Sequence, residues 1–354
     1  MAATTRDSLP NQIIYIRDSS VTNSIRALRI DVHAHYYSDR FIDLIESRGC
    51  DCGACVRRDA RGPIIDAGPL HAGPLASRFI DLDQRIADMD AQGVDVQALS
   101  LTQPMVYWAE ENLARELSAT FNDDLVAAHE RFPDRLVGLA MLPMHHPKSA
   151  LDELARVKAA PGIRGIYMGT AIGDMDLSHE SLLPVFEAIE EAGLPVLLHP
   201  LKVLGMTDRL KPYFLANLLG NPFDTAVAAA HLIFGGVLDR FPKLDVVLPH
   251  AGGALPFLVG RLQHGWSVRP ELKHMERGPE EYLARFYFDT IAHSQSSLQY
   301  LIAQVGADRV MLGSDYCFDM GLERPIEVVE AQEQLSDTLR DQILGGTARS
   351  LLKL

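Results

Sequence analysis

Two histidines stand one residue apart in the stretch RIDVHAHYYSDRF (residues 29–41), at the end of a short apolar run. If 27–32 is a strand, successive side chains alternate between faces, so His33 and His35 look the same way. An imidazole pair on one face can hold a single metal ion. Other imidazoles and a carboxylate close similar apolar runs further along the chain: His199, His250 and Asp315. Nitrogen and carboxylate donors in this mixture suit a borderline divalent ion such as Zn2+, whose catalytic sites keep a position for water or substrate. The set His33, His35, His199 and Asp315 is therefore expected to bind metal. His129, on a helix, and the His145–His146 pair before Pro147 read as ordinary packed or loop histidines.

The elements that must position these residues are legible as a repeat. Apolar runs at 28–32, 94–101, 136–143, 163–169, 194–200, 244–250, 286–290 and 310–315 are mostly continuous rather than alternating, as in parallel strands buried on both faces. Helical spacing fills the intervals 82–93, 111–133 and 179–193, the first and last closing at glycine and the second at proline. Eight βα units predict a closed (β/α)8 barrel of the TIM type. No G-x-G-x-x-G follows the first strand to favour the alternative, an open doubly wound sheet. In a barrel the reactive side chains gather at the C-terminal ends of the strands, where all five residues fall. Residues 1–27 read as an extension and 28–354 as one barrel domain. An insertion at 36–81 follows strand one, and a shorter one at 201–222 follows strand five. Both are expected over the mouth of the barrel.

Composition narrows the partners. The chain has 354 residues, 47% hydrophobic and 23% charged, enough for a large core, and a formal net charge of -14. That charge argues against nucleic acid or an anionic membrane as partner, while leaving room for a small anion bound by a local cation. Residues 1–27 lack an unbroken apolar stretch, and no later run reaches membrane-spanning length, so the expectation is a cytoplasmic protein. Cys50, Cys52 and Cys55 crowd into GCDCGACVRR, yet the fourth cysteine, Cys317, is distant in sequence. A closed zinc site wants four ligands, so reduced thiols in a glycine-rich loop are expected there.

The motifs IDVHAH, RIADMDAQGVDVQALS, LLHP, LPHAGGALPFLVGRL, DRVMLGSDY and ILGGTARSLLKL occur in that order. They resemble the amidohydrolase superfamily, and within it the branch around aminocarboxymuconate-semialdehyde decarboxylase, over nearly all of 28–354. The resemblance implies a mononuclear site: His33, His35, His199 and Asp315 as ligands of one divalent metal and His250 as the catalytic histidine; on chemical grounds Asp315 is also expected to carry a proton, with no organic cofactor. Zn2+ is the first expectation and Mn2+ the second. GIYMGT (165–170) has no lysine to bridge a second ion. The resemblance further implies that Arg261 reaches a substrate carboxylate in the neighbouring subunit of a homodimer, with Arg78 a second carboxylate contact. Two departures bear on the substrate: Leu201 and Lys202 stand where the decarboxylase has a tryptophan, and His293 stands where an aromatic follows strand seven.

Two chemistries fit such a site. The first is metal-dependent, non-oxidative decarboxylation of an unsaturated or aromatic carboxylic acid. The alternative is hydrolysis of an amide, ester, lactone or C–C bond by water activated at the metal. A non-catalytic metal-binding scaffold has little use for an acid–base histidine beside the ligands.

Overall fold

A parallel strand covered on both faces carries apolar residues at almost every position, and eight such strands form one sheet in the computed structural model, which describes residues 26–201 and 208–354. The strands are β1 (Ile30–His35), β2 (Val96–Ser100), β3 (Leu136–Met141), β4 (Ile163–Gly169), β5 (Val196–His199), β6 (Val246–Leu248), β7 (Phe286–Asp289) and β8 (Val310–Met311). Each pairs in parallel with the next in sequence. The chain continuing from β8 closes the ring onto β1. Val32 N–H donates to Leu312 O at 2.9 Å, Asp315 N–H to His33 O at 2.9 Å and His35 N–H to Tyr316 O at 2.6 Å. The expected (β/α)8 barrel is thus the observed one.

The helices form where capping and apolar periodicity agree. Helix α1 (Asp39–Arg48) starts under the Ser38 hydroxyl, which accepts from Phe41 N. Helix α2 (Leu82–Gln92) starts at Asp81, whose carboxylate accepts from Asp83 N and Gln84 N, and stops at Gly93 in the left-handed conformation, φ 73°. Helices α3 (Glu111–Arg131), α4 (Pro147–Val157), α5 (Leu183–Ala192), α6 (Asn221–Phe234), α7 (Leu255–Val268) and α8 (Gln295–Val305) follow their strands in turn. Among the described residues no helix is long and apolar enough to cross a membrane.

Both insertions carry structure of their own. The first holds α1, a three-stranded antiparallel sheet (Ala54–Asp59, Gly62–Ala67, Leu70–Ala72) and a short helix, Ser77–Ile80. In the second, short turns at Pro212–Phe214 and Ala216–Gly220 lead directly into α6. Lys202, one of the two departures from the decarboxylase pattern, lies outside the described residues, as does most of the extension at 1–27.

Two expectations are corrected. Strand eight is short: Val310–Met311 alone pairs with β7, and residues 312–316 turn to bond with β1, which is how the ring closes. The clustered thiols are not all free. Cys50 and Cys55 form a disulfide across a tight turn, and Cys52 remains a thiol. The turn precedes the antiparallel sheet and contributes nothing to the histidine cluster. Replacing Cys50, Cys52 and Cys55 together by serine is expected to leave metal content unchanged and to cost about 2 kcal/mol, the chain-entropy value for so short a loop. Metal analysis and a urea melt check both; loss of one metal equivalent would give the turn a role it lacks here.

Candidate metal centre

Alternation along β1 sends Asp31, His33 and His35 to the inside of the barrel and Ile30, Val32 and Ala34 to the helices, with all six buried. His199 arrives from the end of β5, and Asp315 from the segment after β8. One donor atom from each of His33, His35, His199 and Asp315 lies within 4.8 Å of the others, and all four residues are buried. His33 Nε2 is 3.2 Å from His35 Nε2, and Asp315 Oδ1 is 3.0 Å from His35 Nε2 and 3.6 Å from His33 Nε2. These four side chains form a metal-binding site.

An imidazole offers a lone pair at Nε2 only when its proton sits on Nδ1, and each Nδ1 here is held. His33 Nδ1 donates to Asp289 Oδ2 at 2.7 Å. His35 Nδ1 meets Ser100 Oγ at 3.1 Å, and His199 Nδ1 meets Pro200 O at 2.9 Å and Thr102 Oγ1 at 3.3 Å. The shell fixes both tautomer and ring plane. Burial lowers His35 to about 4, and burial beside the other imidazoles takes His199 well below the usual histidine range, so both stay neutral and free to ligate at neutral pH. His33 is raised: burial opposes its charge, but the hydrogen bond to Asp289 and the field of Asp315 prevail. Asp315 is held well below the usual carboxylate range despite burial, through His250 and His35. Strand β4 carries no lysine, and its Tyr167 stands beside the cluster, its ring centroid 6.0 Å from His35 and 5.9 Å from His199.

His250 begins a turn two residues beyond β6. Its Nε2 is 3.7 Å from Asp315 Oδ2, and its ring centroid is 5.2 Å from that of His33. His250 and Ala251 both adopt left-handed backbone, φ 53° and 55°. Asp289 stabilises that conformation, its Oδ2 accepting from His250 N at 2.9 Å and its Oδ1 from Ala251 N at 2.7 Å. One carboxylate therefore orients a ligand and the loop that carries the neighbouring histidine. The hydrogen bond from His33 and the charges nearby keep it below the usual carboxylate range although burial opposes this. Packing is close: a Cβ on Gly313 would stand 2.8 Å from Asp289 Cβ and 3.2 Å from His33 Cβ.

A second buried network lies beneath. Asp31 accepts from the backbone of His33 (3.1 Å) and Ser314 (3.0 Å), from Ser314 Oγ (2.5 Å) and from Gln97 Nε2 (2.9 Å). Fully buried Arg85 on α2 donates to Gln97 Oε1 at 2.6 Å and to the carbonyl of His35. Asp31, Gln97, Ser100, Thr102 and Asp289 are not among the residues that stand out from the sequence alone. A signal exists all the same, since each is a polar residue inside, ending or just beyond an apolar strand, where burial without a partner is costly.

The remaining expected residues divide. His293, φ 50°, lines the same cavity as His199, His250 and Asp315. Arg78 does not line it. Its guanidinium is held by Asp88 at 2.8 Å and Glu323 at 3.3 Å, over the Tyr316 ring. Arg261, on α7, is exposed, lines no part of its own chain's cavity and has no partner among the described residues. His129 bonds Leu136 O and His145 bonds Ala109 O, as packed histidines do.

Known proteins place this arrangement. The model of the Amidohydrolase family matches residues 30–354, and the chain belongs to that family. It is 33% identical over 342 residues to the 2-amino-3-carboxymuconate-6-semialdehyde decarboxylase of Dictyostelium discoideum, covering 93% of this chain and 92% of the relative. It is 28% identical over 300 residues to the gamma-resorcylate decarboxylase of a Polaromonas species, covering 79% and 90%. Among solved structures, the apo IDCase of Metarhizium anisopliae superposes with a TM-score of 0.82 at 26% identity, covering 92% and 97%. The 5-carboxyvanillate decarboxylase of Sphingomonas paucimobilis gives 0.80 at 25%, covering 93% and 99%.

Asp289→Asn puts an amide N–H against donors on one side or the other: His33 and His250 N, or Ala251 N and Ile291 N. Metal affinity is expected to fall 10- to 100-fold, the usual scale for such a partner. Titration with a competing chelator reads this directly, and wild-type affinity in the folded variant would remove Asp289 from the site.

Proposed function

We propose that the protein is a metal-dependent carboxy-lyase that releases CO2, without oxidation, from an unsaturated or aromatic carboxylic acid. The observation that carries this reading is His250 Nε2 beside Asp315 at the edge of the four-donor cluster, in a cavity whose wall is mainly apolar. The named activities of the two curated relatives support it. Three imidazoles and a carboxylate suit one Zn2+ per chain, with Mn2+ as the alternative. Such an ion supplies Lewis-acid polarisation of a substrate oxygen.

The chain's own residues account for the proton. When the bond between the carboxylate and its carbon breaks, the electron pair stays on that carbon and CO2 leaves. The carbon must take a proton as this happens. His250 is placed to hold that proton on Nε2 and deliver it, and Asp315 Oδ2, 3.7 Å away, is placed to exchange it. His293 is assigned to substrate contact at the same cavity.

His250→Ala is expected to retain metal and lose at least ~100-fold in kcat, the scale of an acid–base contribution. CO2 release from aromatic and muconate-type acids, with metal analysis of the same sample, is the measurement. Near-wild-type turnover would demote His250, and consumption of substrate without CO2 would favour hydrolysis.

The reading includes a homodimer in which Arg261 serves the partner's site. Its support is that Arg261 is exposed on α7 with no partner among the described residues, and that Tyr213, Leu219, Phe223 and Val268 are exposed large apolar side chains. Arg261→Ala and His250→Ala homodimers are each expected to be nearly inactive. Subunit exchange between them should restore activity, because one site of the mixed dimer has both groups intact. Mixed dimers confirmed by native mass spectrometry but inactive would place Arg261 outside the partner's site.

A further inference from the structure

Both backbone polar groups of the ligand His35 are held by one pair of residues. Its N–H donates to the carbonyl of Tyr316 at 2.6 Å, and its carbonyl accepts from the Arg85 guanidinium. That guanidinium lies over the Tyr316 ring, with Arg85 Cζ 4.6 Å from the ring centroid. Tyr316 also follows the ligand Asp315 directly in the chain. Arg85 and Tyr316 therefore touch each other and grip His35 from both sides, while one of them carries Asp315. Those two ligands meet at 3.0 Å, between His35 Nε2 and Asp315 Oδ1.

Stability alone does not account for Arg85. It is fully buried on α2, and burial works against its charge. The acceptors it reaches are neutral: the Gln97 amide at 2.6 Å, the carbonyl of His35, and that of Arg78 at 3.3 Å. An apolar side chain of similar volume would avoid the cost of desolvating a cation. Asp315 supplies the other half of the problem. Its backbone is left-handed, φ 58°, so the direction of its carboxylate depends on what holds the residues beside it. Ser314 on one side is tied to Asp31. Tyr316 on the other is 2% exposed, and its hydroxyl donates to Asp88 Oδ2 at 2.8 Å, three residues beyond Arg85 on α2. Helix α2 thus holds Tyr316 by ring and hydroxyl and His35 by its carbonyl.

We infer that Arg85 and Tyr316 are positioning residues of the metal centre: acting as one unit, they fix the placement of His35 relative to Asp315, and so set how tightly and in what coordination geometry a divalent ion is held. The task requires a planar fork, because one guanidinium must reach Gln97 and the His35 carbonyl while lying over the ring. A lysine ammonium is a point charge on a flexible stem and cannot do all three. The inference concerns the metal-binding site itself and holds whichever reaction follows there.

The test uses the full chain, stripped of metal and reloaded. Competition with a chromophoric chelator gives the Zn2+ dissociation constant, the visible absorption of the Co2+-loaded protein reports coordination geometry, and a urea melt of the stripped protein reports stability. Arg85→Lys keeps the charge and loses the fork. It is expected to raise the Zn2+ dissociation constant about 10- to 100-fold, the scale for groups that orient ligands, and to change the Co2+ spectrum. Tyr316→Leu is expected to do the same. The double variant should be no more than about threefold worse than the more damaging single one, because either change already breaks the unit. Tyr316→Phe keeps the ring and loses only the bond to Asp88, and should stay within about threefold of wild type. Leu154→Ala, at a buried position of α4, controls for loss of stability: it should lower the urea midpoint and leave affinity and spectrum unchanged. Wild-type affinity and an unchanged spectrum in folded Arg85→Lys or Tyr316→Leu overturn the inference. A shift in Leu154→Ala equal to theirs also overturns it, since the effect would then be one of stability. Losses that multiply in the double variant overturn the unit by making the two residues independent. If Arg85→Lys does not fold, Tyr316→Leu against Tyr316→Phe decides by the same readouts.

Discussion

An imidazole ligates through one nitrogen only if the other is occupied, and this constraint organises the molecule's interior. Three buried histidines need three acceptors at their Nδ1 atoms, and the barrel supplies each from a different place: Asp289 at the end of β7, Ser100 at the end of β2, and Thr102 with Pro200 O just beyond β2 and β5. Parallel strands in a closed ring are the means by which residues far apart in sequence converge on one point. Antiparallel hairpins would bring together neighbours in the chain instead.

Convergence has a local cost. His250, Ala251 and Asp315 all sit in the left-handed region, where a non-glycine residue is disfavoured by ~1–2 kcal/mol. Charge-assisted hydrogen bonds to Asp289 and backbone pairing with β1 offset it. These three residues lie in the loops after β6 and β8, and His293 after β7 shares the conformation. Asp31 ties β1 to Ser314 and, through Gln97, to Arg85, so the two segments that carry His33, His35 and Asp315 are held to each other from below.

The two insertions act on the other side of the cluster. The strand Leu70–Ala72 from the first and Phe214, Asn217, Leu218 and Asn221 from the second contribute to the cavity wall, and among the described residues they bring apolar, imidazole and amide groups. Metal chemistry is therefore set by strand ends, which vary little in position, and selectivity by loops, which are free to differ. The net charge of -14 adds to the same division: an anion reaching the inner end depends on local positive charge.

The sequence alone determined the barrel, because buried parallel strands must be continuously apolar and eight such runs leave few alternatives. It also determined the ligand set, because an H-x-H pair at a strand end, a histidine closing LLH and an aspartate after VMLGS are conspicuous in apolar surroundings. Tertiary structure decided which polar residues serve those ligands. Asp289 stands 256 positions from His33, and a hydrogen bond across that separation has no periodicity to announce it. The same is true of Arg78. The resemblance implied a carboxylate contact for it, and only the tertiary structure shows Asp88 on α2 and Glu323 beside its guanidinium. Local pattern fixes which face a side chain is on, whereas its partner is fixed by how the ring closes.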